Sequence, residues 1–143
     1  MKIKNIIFDL GGVIIDHSLD RTLDKMSLTY ERREQLKTLI KTDRMWDDLD
    51  SYKYVHFSDA LQDLLRRHEE DREDILEFFS KGFLDDYRIF EKGLSLFYRF
   101  KKEGYHVYLL TNFSLDGYQK ITDKFDFFSD ADGILVSYKV KLI

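Results

Sequence analysis

The stretch Ile6-Ile7-Phe8-Asp9-Leu10-Gly11-Gly12-Val13 places an aspartate directly after an apolar run and directly before two glycines. The apolar residues between Ile3 and Phe8 predict a short buried strand that ends in a glycine turn. In open α/β sheets, ligands bind at the carboxyl ends of the parallel strands, which is where Asp9 would stand. Small residues in that turn let a ligand approach the backbone and leave N–H groups pointing at an anion. Taken alone, the stretch fits an aspartate that merely caps a turn as well as a catalytic one.

Beyond this stretch, the charge content and the spacing of apolar residues change twice along the chain. Residues 17 to about 87 are rich in charge and carry apolar residues at helical spacing, which predicts a small helical bundle. After it, the pattern predicts a helix that ends near Gly104, a strand at His106–Leu110, a helix at Leu115–Phe125 and a strand at Ile134–Val136. Alternating strands and helices predict an α/β fold with a Rossmann-like parallel sheet. We therefore expect a core of residues 1–16 and 88–143 with an inserted helical cap of residues 17–87.

Composition restricts the classes of function. In 143 residues, hydrophobic side chains make up 43% and aromatic ones 15%, which is enough for a packed core. The net charge of -4 argues against a nucleic-acid partner, which usually requires a basic stripe. The absence of cysteine excludes disulfide scaffolds, thiolate zinc sites and cysteine nucleophiles. No apolar stretch approaches the length of a membrane span, so we expect no membrane partner and a cytoplasmic location.

A second polar pair follows the second predicted strand of the core. Thr111 and Asn112 stand where a strand ends and a helix begins, a position that suits phosphate binding. Threonine and asparagine also cap helices without any ligand, so this pair is a weak signal by itself. In combination with Asp9 the signal is stronger, because both groups end short apolar strands of one predicted sheet.

These runs resemble the motifs of the haloacid dehalogenase (HAD) superfamily of hydrolases. Phe8-Asp9-Leu10-Gly11-Gly12-Val13 is similar to motif I in the subgroup written FDLGGV, and Val107-Tyr108-Leu109-Leu110-Thr111-Asn112 is similar to motif II. The helical insertion resembles the cap of that subgroup, and Gly133-Ile134-Leu135-Val136-Ser137-Tyr138 resembles the strand before motif III. The resemblance covers the chain in order and implies a HAD-like core with a helical cap.

The resemblance implies a nucleophilic role for Asp9, which would form a covalent intermediate that water hydrolyses. In the family's phosphatases, Mg2+ binds the carboxylate of the nucleophile and a backbone carbonyl two residues on, here that of Gly11. Thr111 would bind the phosphoryl group through its hydroxyl, together with Asn112 and Gly12. The cap would exclude water and select the substrate. The implied activity is a Mg2+-dependent phosphatase of small phosphorylated metabolites, with carbon–halogen hydrolysis as the alternative.

The sequence departs from the family pattern in two places. Gly11 stands where most family phosphatases carry a second aspartate, so either another group protonates the leaving group or the leaving group is good enough not to need a proton. The chain stops at Ile143, before the lysine of motif III, and Lys139 and Lys141 come too early to replace it. We therefore expect a truncated form with weak or no Mg2+ binding and little turnover, or a non-catalytic fragment or interaction module. We also expect self-association through an exposed edge of the sheet.

Other clusters have simpler interpretations. Asp47, Asp48 and Asp50 resemble a metal site, but an exposed cap helix accounts for them better. His17 is interpreted as a surface histidine. Most aromatic residues of this part of the insertion are expected to pack the core of the cap; they are Trp46, Tyr52, Tyr54 and Phe57.

Overall fold

The computed structural model describes residues 3–143 and has the α/β architecture that the sequence predicts. The strands are β1 (Asn5–Phe8), β2 (Ile15–His17), β3 (Tyr87–Ile89), β4 (His106–Thr111) and β5 (Gly133–Val136). The helices are α1 (Leu19–Leu23), α2 (Tyr30–Thr42), α3 (Met45–Asp50), α4 (Phe57–Arg67), α5 (Arg72–Ser80), α6 (Glu91–Lys102), α7 (Leu115–Lys124) and α8 (Ser137–Val140). Short 3₁₀ turns span Glu69–Asp71, Phe83–Asp85 and Asp126–Asp130.

The core sheet has the order β1-β4-β5, and both of its ladders are parallel. Phe8 pairs with Leu109, and Thr111 pairs with Val136. Parallel pairing brings the carboxyl ends of all three strands to one edge of the sheet, the carboxyl edge. The predicted parallel sheet is confirmed, and each predicted core strand is present with bounds that differ by one or two residues.

Helices α6 and α7 cover one face of this sheet. Alternate strand residues point to that face, and Phe8, Leu109 and Val136 are buried there in one cluster with Phe97 of α6 and Ile121 of α7. The helix α6 ends at Lys102, close to the predicted end at Gly104, whose φ of 87° suits the left-handed residue after a helix.

Helices α1 to α5 pack around a second hydrophobic core. Ser18 and Thr29 begin α1 and α2 by accepting hydrogen bonds from backbone N–H groups of the first turn. The buried side chains recur at helical spacing, and they include Leu36, Ile40, Leu49, Leu64, Ile75 and Phe78. Among residues 3–143, no helix is long and apolar enough to cross a membrane. The division into a core and a cap at residues 17 and 87 stays a prediction.

Two three-residue strands that the sequence analysis did not predict join the core to the helical insertion. The strands β2 and β3 pair antiparallel, so the two places where the chain crosses between core and insertion lie side by side. Arg21 of α1 donates to Asp86 at 2.7 Å and also pairs with Asp16. One guanidinium therefore holds both crossings together.

His17 is not the surface residue that the sequence analysis expected. Its ring stacks on Phe83 and Tyr87, with centroid distances of 3.9 and 4.3 Å. Its Nε2 lies 2.8 Å from the carbonyl oxygen of Phe83, which requires the tautomer with a proton on Nε2. Burial lowers the pKa of His17, so the neutral ring packs as an aromatic side chain near pH 7.

The second face of the core sheet carries apolar side chains that are exposed. Ile7 is 63% exposed, Leu110 is 48% exposed, and Leu135, which pairs with Leu110, is 48% exposed. The strand β1 also forms one edge of this sheet within residues 3–143. Backbone groups on the outer side of β1 therefore face no strand of the described chain, next to an exposed apolar row.

We propose that this edge and this row associate with a second copy of the chain. An open edge strand is a template for pairing, and antiparallel pairing of two β1 strands about a two-fold axis would bury Ile7 of both copies. Light scattering should show a mass that rises above that of one chain with concentration. Ile7→Lys should hold the mass at one chain, because it places a charge in the contact, whereas Leu76→Lys on α5 should not. A wild-type chain that stays a monomer at millimolar concentration would contradict this.

Candidate active site

Asp9 and Thr111 lie at the carboxyl edge, at the ends of neighbouring strands. Phe8 ends β1 and pairs with Leu109, so Asp9 and Thr111 follow along the same edge of the sheet. One open cleft of about 470 Å³ is lined by Ile7, Asp9, Gly11, Leu110, Thr111 and Asn112. Asp9 and Thr111, the two residues that the sequence singled out, therefore line one cleft together with Gly11 and Asn112.

A tight turn after β1 holds Asp9 at this cleft. The carbonyl oxygen of Leu10 accepts hydrogen bonds from the N–H groups of residues 13, 14 and 15 at 3.2, 2.9 and 2.8 Å. Gly12 makes the turn possible because its φ of 73° lies in the left-handed region. Asp9 is exposed, and its Oδ1 accepts a hydrogen bond of 2.6 Å from the N–H of Leu10, which fixes the orientation of the carboxylate.

The N–H of Gly12 is engaged within the turn. It donates to the carbonyl oxygen of Ile15 at 2.9 Å, and Gly12 is not among the residues that line the cleft. The sequence analysis expected successive free N–H groups here, and this one would have to leave Ile15 before it could bind a phosphate. The phosphate contact of Gly12 stays a prediction.

Helix α6 packs directly on the same turn. The N–H of Phe90 donates to the carbonyl oxygen of Ile14 at 2.8 Å. Gly93 lies one turn farther along the chain, and a Cβ at this position would lie 1.8 Å from the carbonyl oxygen of Val13. Only glycine permits this approach, so Gly93 is a supporting residue for the turn that holds Asp9. Sequence reasoning missed it, because a glycine inside a helix looks like a simple loss of helix propensity.

The hydroxyl of Thr111 is buried and has no hydrogen-bond partner among residues 3–143. The residue is 4% exposed, and its Oγ1 is one of the few buried side-chain atoms without a partner. Such a group costs about 1–3 kcal/mol when it is left unsatisfied, which points to a ligand. The loop behind it is fixed, because Phe113 donates to Ser137 Oγ at 3.1 Å and Gly117 donates to Ser114 Oγ at 3.2 Å.

No family model and no curated protein matches the chain. Among solved structures, the HAD family enzyme BT-2542 from Bacteroides thetaiotaomicron, in complex with magnesium and inorganic phosphate, matches with a TM-score of 0.65 and 18% identity over 99% of this chain and 72% of that one. A dehalogenase matches with a TM-score of 0.66 and 20% identity over 99% of this chain and 65% of that one. The HAD-hydrolase YfnB from Bacillus subtilis, bound to magnesium, has a TM-score of 0.63 and 17% identity over 99% of this chain and 68% of that one.

This chain has a HAD-like fold. The resemblance drawn from the two motifs is thereby confirmed for the fold, while the FDLGGV subgroup stays a prediction. At identities of 17–20%, these similarities show the fold alone. The chemistry of the chain depends on its own residues.

The donors available to a metal ion in this HAD-like site are few. The carboxylate of Asp9 and the backbone of Gly11 line the cleft, and oxygen ligands are those that Mg2+ prefers. Within the described chain, no group of three or more His, Cys, Asp or Glu side chains is placed to hold a metal ion. Mg2+ is often held by one or two carboxylates, water and substrate phosphate. The residues present therefore fit a Mg2+ ion that binds together with phosphate.

Asp50 is the acidic residue that the sequence analysis misjudged. The expectation of an exposed cluster holds for Asp47, and Asp48 forms an ion pair of 2.9 Å with Lys53. Asp50 is instead half-buried at the end of α3, and burial together with the charge of Asp47 raises the pKa of Asp50 to about 7. Its burial depends on the packing of α3, which no local sequence signal indicates.

Gly93→Ala should destabilise the protein. A glycine-to-alanine change inside a helix normally stabilises by about 1 kcal/mol. Here the new methyl group overlaps a backbone carbonyl, so we expect the free energy of unfolding to fall by about 1–3 kcal/mol in urea denaturation. Ser95→Ala, at an exposed position of the same helix, should change it by less than about 0.5 kcal/mol. A Gly93→Ala variant as stable as the wild type would show that α6 does not support the turn closely.

Proposed function

We propose that this chain is a HAD-type hydrolase, and that it acts as a phosphatase of small phosphorylated metabolites through an aspartyl-phosphate on Asp9. The observation that carries the proposal is that one cleft is lined both by the exposed residue Asp9 and by Thr111, whose buried hydroxyl has no hydrogen-bond partner among residues 3–143. A phosphoryl group between them would meet a nucleophile and a hydrogen-bond donor. The inorganic phosphate bound by BT-2542, a protein of the same fold, supports phosphorus as the atom attacked.

In this proposal, Asp9, Thr111 and Asn112 have different roles in the transfer of the phosphoryl group. The Oδ1 atom of Asp9 accepts the Leu10 N–H, so Oδ2 is the oxygen left to attack phosphorus. The Thr111 hydroxyl donates to a phosphoryl oxygen and stabilises the charge that builds up on it. Asn112, exposed in the cleft beside Thr111, offers its N–H to the same group. The Asp9 carboxylate and the Gly11 carbonyl would hold Mg2+ together with the phosphate, and the ion would supply positive charge that offsets repulsion between carboxylate and phosphate.

Carbon–halogen hydrolysis is the second candidate. A dehalogenase is among the proteins of the same fold, with a TM-score of 0.66, and the cleft offers Mg2+ few ligands. The same Asp9 oxygen would then attack carbon and displace a halide. The buried Thr111 hydroxyl favours phosphatase chemistry, because its O–H matches an anionic phosphoryl oxygen. Release of chloride from chloroacetate, without release of phosphate from phosphate esters, would favour the dehalogenase.

Asp9→Asn should abolish hydrolysis of p-nitrophenyl phosphate. We expect slow wild-type turnover in the presence of Mg2+, and a loss of about 1,000-fold or more in the variant, because the amide is a poor nucleophile. Asp123→Asn, at an exposed position of α7, removes the same charge and should retain full activity. Equal rates in the wild type and in Asp9→Asn, or no turnover by the wild type at any Mg2+ concentration, would favour the non-catalytic alternative.

Thr111→Val should separate function from stability. Valine keeps the branched shape and removes a hydroxyl that has no hydrogen-bond partner in the described part of the chain, so the free energy of unfolding should stay level or rise by up to about 1 kcal/mol. Loss of a donor to the transition state should lower kcat/KM by about 100-fold. Thr111→Ser retains the hydroxyl and should recover most of the activity. A variant that loses stability and activity together would assign Thr111 a structural role instead.

A further inference from the structure

The core helix α7 carries three charged residues on one face, and each of them contacts the helical insertion or the strand that leads out of it. Asp116, Lys120 and Lys124 follow one another at intervals of four residues, which places them on the same side of a helix. Lys124 donates to the carbonyl oxygen of Tyr87 in β3 at 2.7 Å, and Lys120 pairs with Asp85. This face of α7 is therefore one of the surfaces against which the insertion packs.

Asp116 makes the contact that lies farthest from β3 on this face, about 12 Å along the helix from Lys124. Its Oδ2 accepts a hydrogen bond of 2.8 Å from the backbone N–H of Phe57, the first residue of α4, and its Oδ1 lies 3.2 Å from Nδ1 of His56. His56 stands at the N-cap position of α4, but its own side chain makes no capping hydrogen bond. The core therefore supplies the N-cap that this helix of the insertion lacks in its own sequence.

The carboxylate of Asp116 also belongs to the first turn of α7. Ser114 begins that turn, and its Oγ accepts a hydrogen bond of 3.2 Å from the N–H of Gly117. A negative charge near a helix N-terminus is stabilised by the helix dipole, and this charge lies at the N-termini of both α4 and α7. The position of the carboxylate is therefore favoured from both sides of the contact.

The first turn of α7 is joined closely to Thr111. Only residues 112–114 separate Thr111, at the end of β4, from the start of α7. Tyr87 packs on the same turn, because its hydroxyl lies 3.2 Å from the position that a Cβ on Gly117 would take. A displacement of α4 relative to α7 would therefore act on the short segment that places Thr111 at the cleft.

A small cavity of about 30 Å³ lies in the seam between α4 and α7. Trp46 and Phe57 of the insertion line it together with Asp116 and Gly117 of the core. Trp46 is the only tryptophan of the chain, so the fluorescence of the protein at tryptophan wavelengths reports on this seam.

We propose that Asp116 is a positioning residue that clasps the helical insertion to the core by capping α4, and that this clasp keeps Thr111 in place at the cleft. The packing of α3 on α8 joins the insertion to the core at a separate place. Loss of the clasp should therefore loosen the α4 side without releasing the insertion. The clasp is a feature of the fold, and only its effect on turnover rests on the proposed phosphatase function.

Hydrogen exchange tests the clasp directly. The N–H of the first helical residue has no acceptor within its own helix, so the Phe57 amide depends on Asp116 for its protection. Asp116→Ala should raise the exchange rate of this amide by about 5-fold or more, the effect of losing an N-cap, and should leave the Leu64 amide within α4 protected. Asp116→Asn retains an oxygen that can cap the helix, and its Phe57 amide should exchange at nearly the wild-type rate.

The fluorescence of Trp46 reports whether the seam loosens. Acrylamide should quench Trp46 more efficiently in Asp116→Ala than in the wild type or in Asp116→Asn, because the wall of the cavity opens. The matched control is Thr29→Ala, which removes the N-cap of α2, a bond made to Arg32 within the insertion itself. It should lower the stability by a similar amount and leave both the quenching of Trp46 and the turnover unchanged.

The rate with p-nitrophenyl phosphate tests the effect on Thr111. Asp116→Ala should lower kcat by about 10-fold, because a donor displaced slightly from the transition state loses much of its effect. The loss should fall on kcat rather than on KM, since the Thr111 hydroxyl is proposed to act on charge that develops during the reaction. Asp116→Asn should recover most of the rate.

The outcomes separate the clasp from the proposed function. A Phe57 amide that exchanges in the wild type as fast as in an unfolded peptide, or equally fast in the wild type and in Asp116→Ala, would overturn the clasp. Faster exchange with an unchanged kcat would overturn the positioning of Thr111. If the wild type hydrolyses no phosphate ester, the phosphatase proposal fails, whereas exchange and quenching still decide whether Asp116 holds the insertion.

Discussion

The parallel pairing of β1 with β4 is the interaction on which the fold and the site both depend. It joins residues 5–8 to residues 106–109, so about a hundred residues loop out between the two strands. Closing such a loop costs about 4 kcal/mol of chain entropy. Burial of Phe8 and Leu109 offsets this cost, because a large apolar side chain contributes about 1.5–3 kcal/mol when it is fully buried. The same pairing brings Asp9 and Thr111 to one edge of the sheet, so the position of the cleft follows directly from the core packing.

The sequence predicted the features that depend on local pattern. Asp9 and Thr111 stand at the carboxyl ends of short apolar strands. Because parallel strands of one sheet have their carboxyl ends along the same edge, the sequence already indicated that these two residues lie close together. The pairing of β2 with β3 was missed because three residues are too few for an alternating pattern to stand out. His17 and Asp50 were misjudged for another reason. Both are polar residues whose burial is decided by contacts distant in sequence, Phe83 for the first and α8 for the end of α3 that carries the second.

The position of Asp50 is maintained at a cost in stability. A carboxyl group that is half-buried beside Asp47, with no cation of residues 3–143 acting on it, favours the unfolded chain wherever the free group would ionise. Just beyond it, Tyr52 has a φ of 65°, a left-handed conformation that non-glycine residues adopt at a cost of about 1 kcal/mol or more. That conformation turns the Tyr52 ring towards Tyr138. Both features lie where α3 meets α8 of the core, and both lower the stability of the folded chain.

Ile7 belongs to two surfaces at once. It lines the Asp9 cleft, and it is the most exposed member of the apolar row formed with Leu110 and Leu135 on the uncovered face of the sheet. A second copy that pairs with β1 would therefore cover the row and also one wall of the cleft. Removing water from that wall strengthens the interaction of Asp9 with any cation or proton donor near it. The two proposals are therefore linked, because the strand with the open edge is the strand that Asp9 follows.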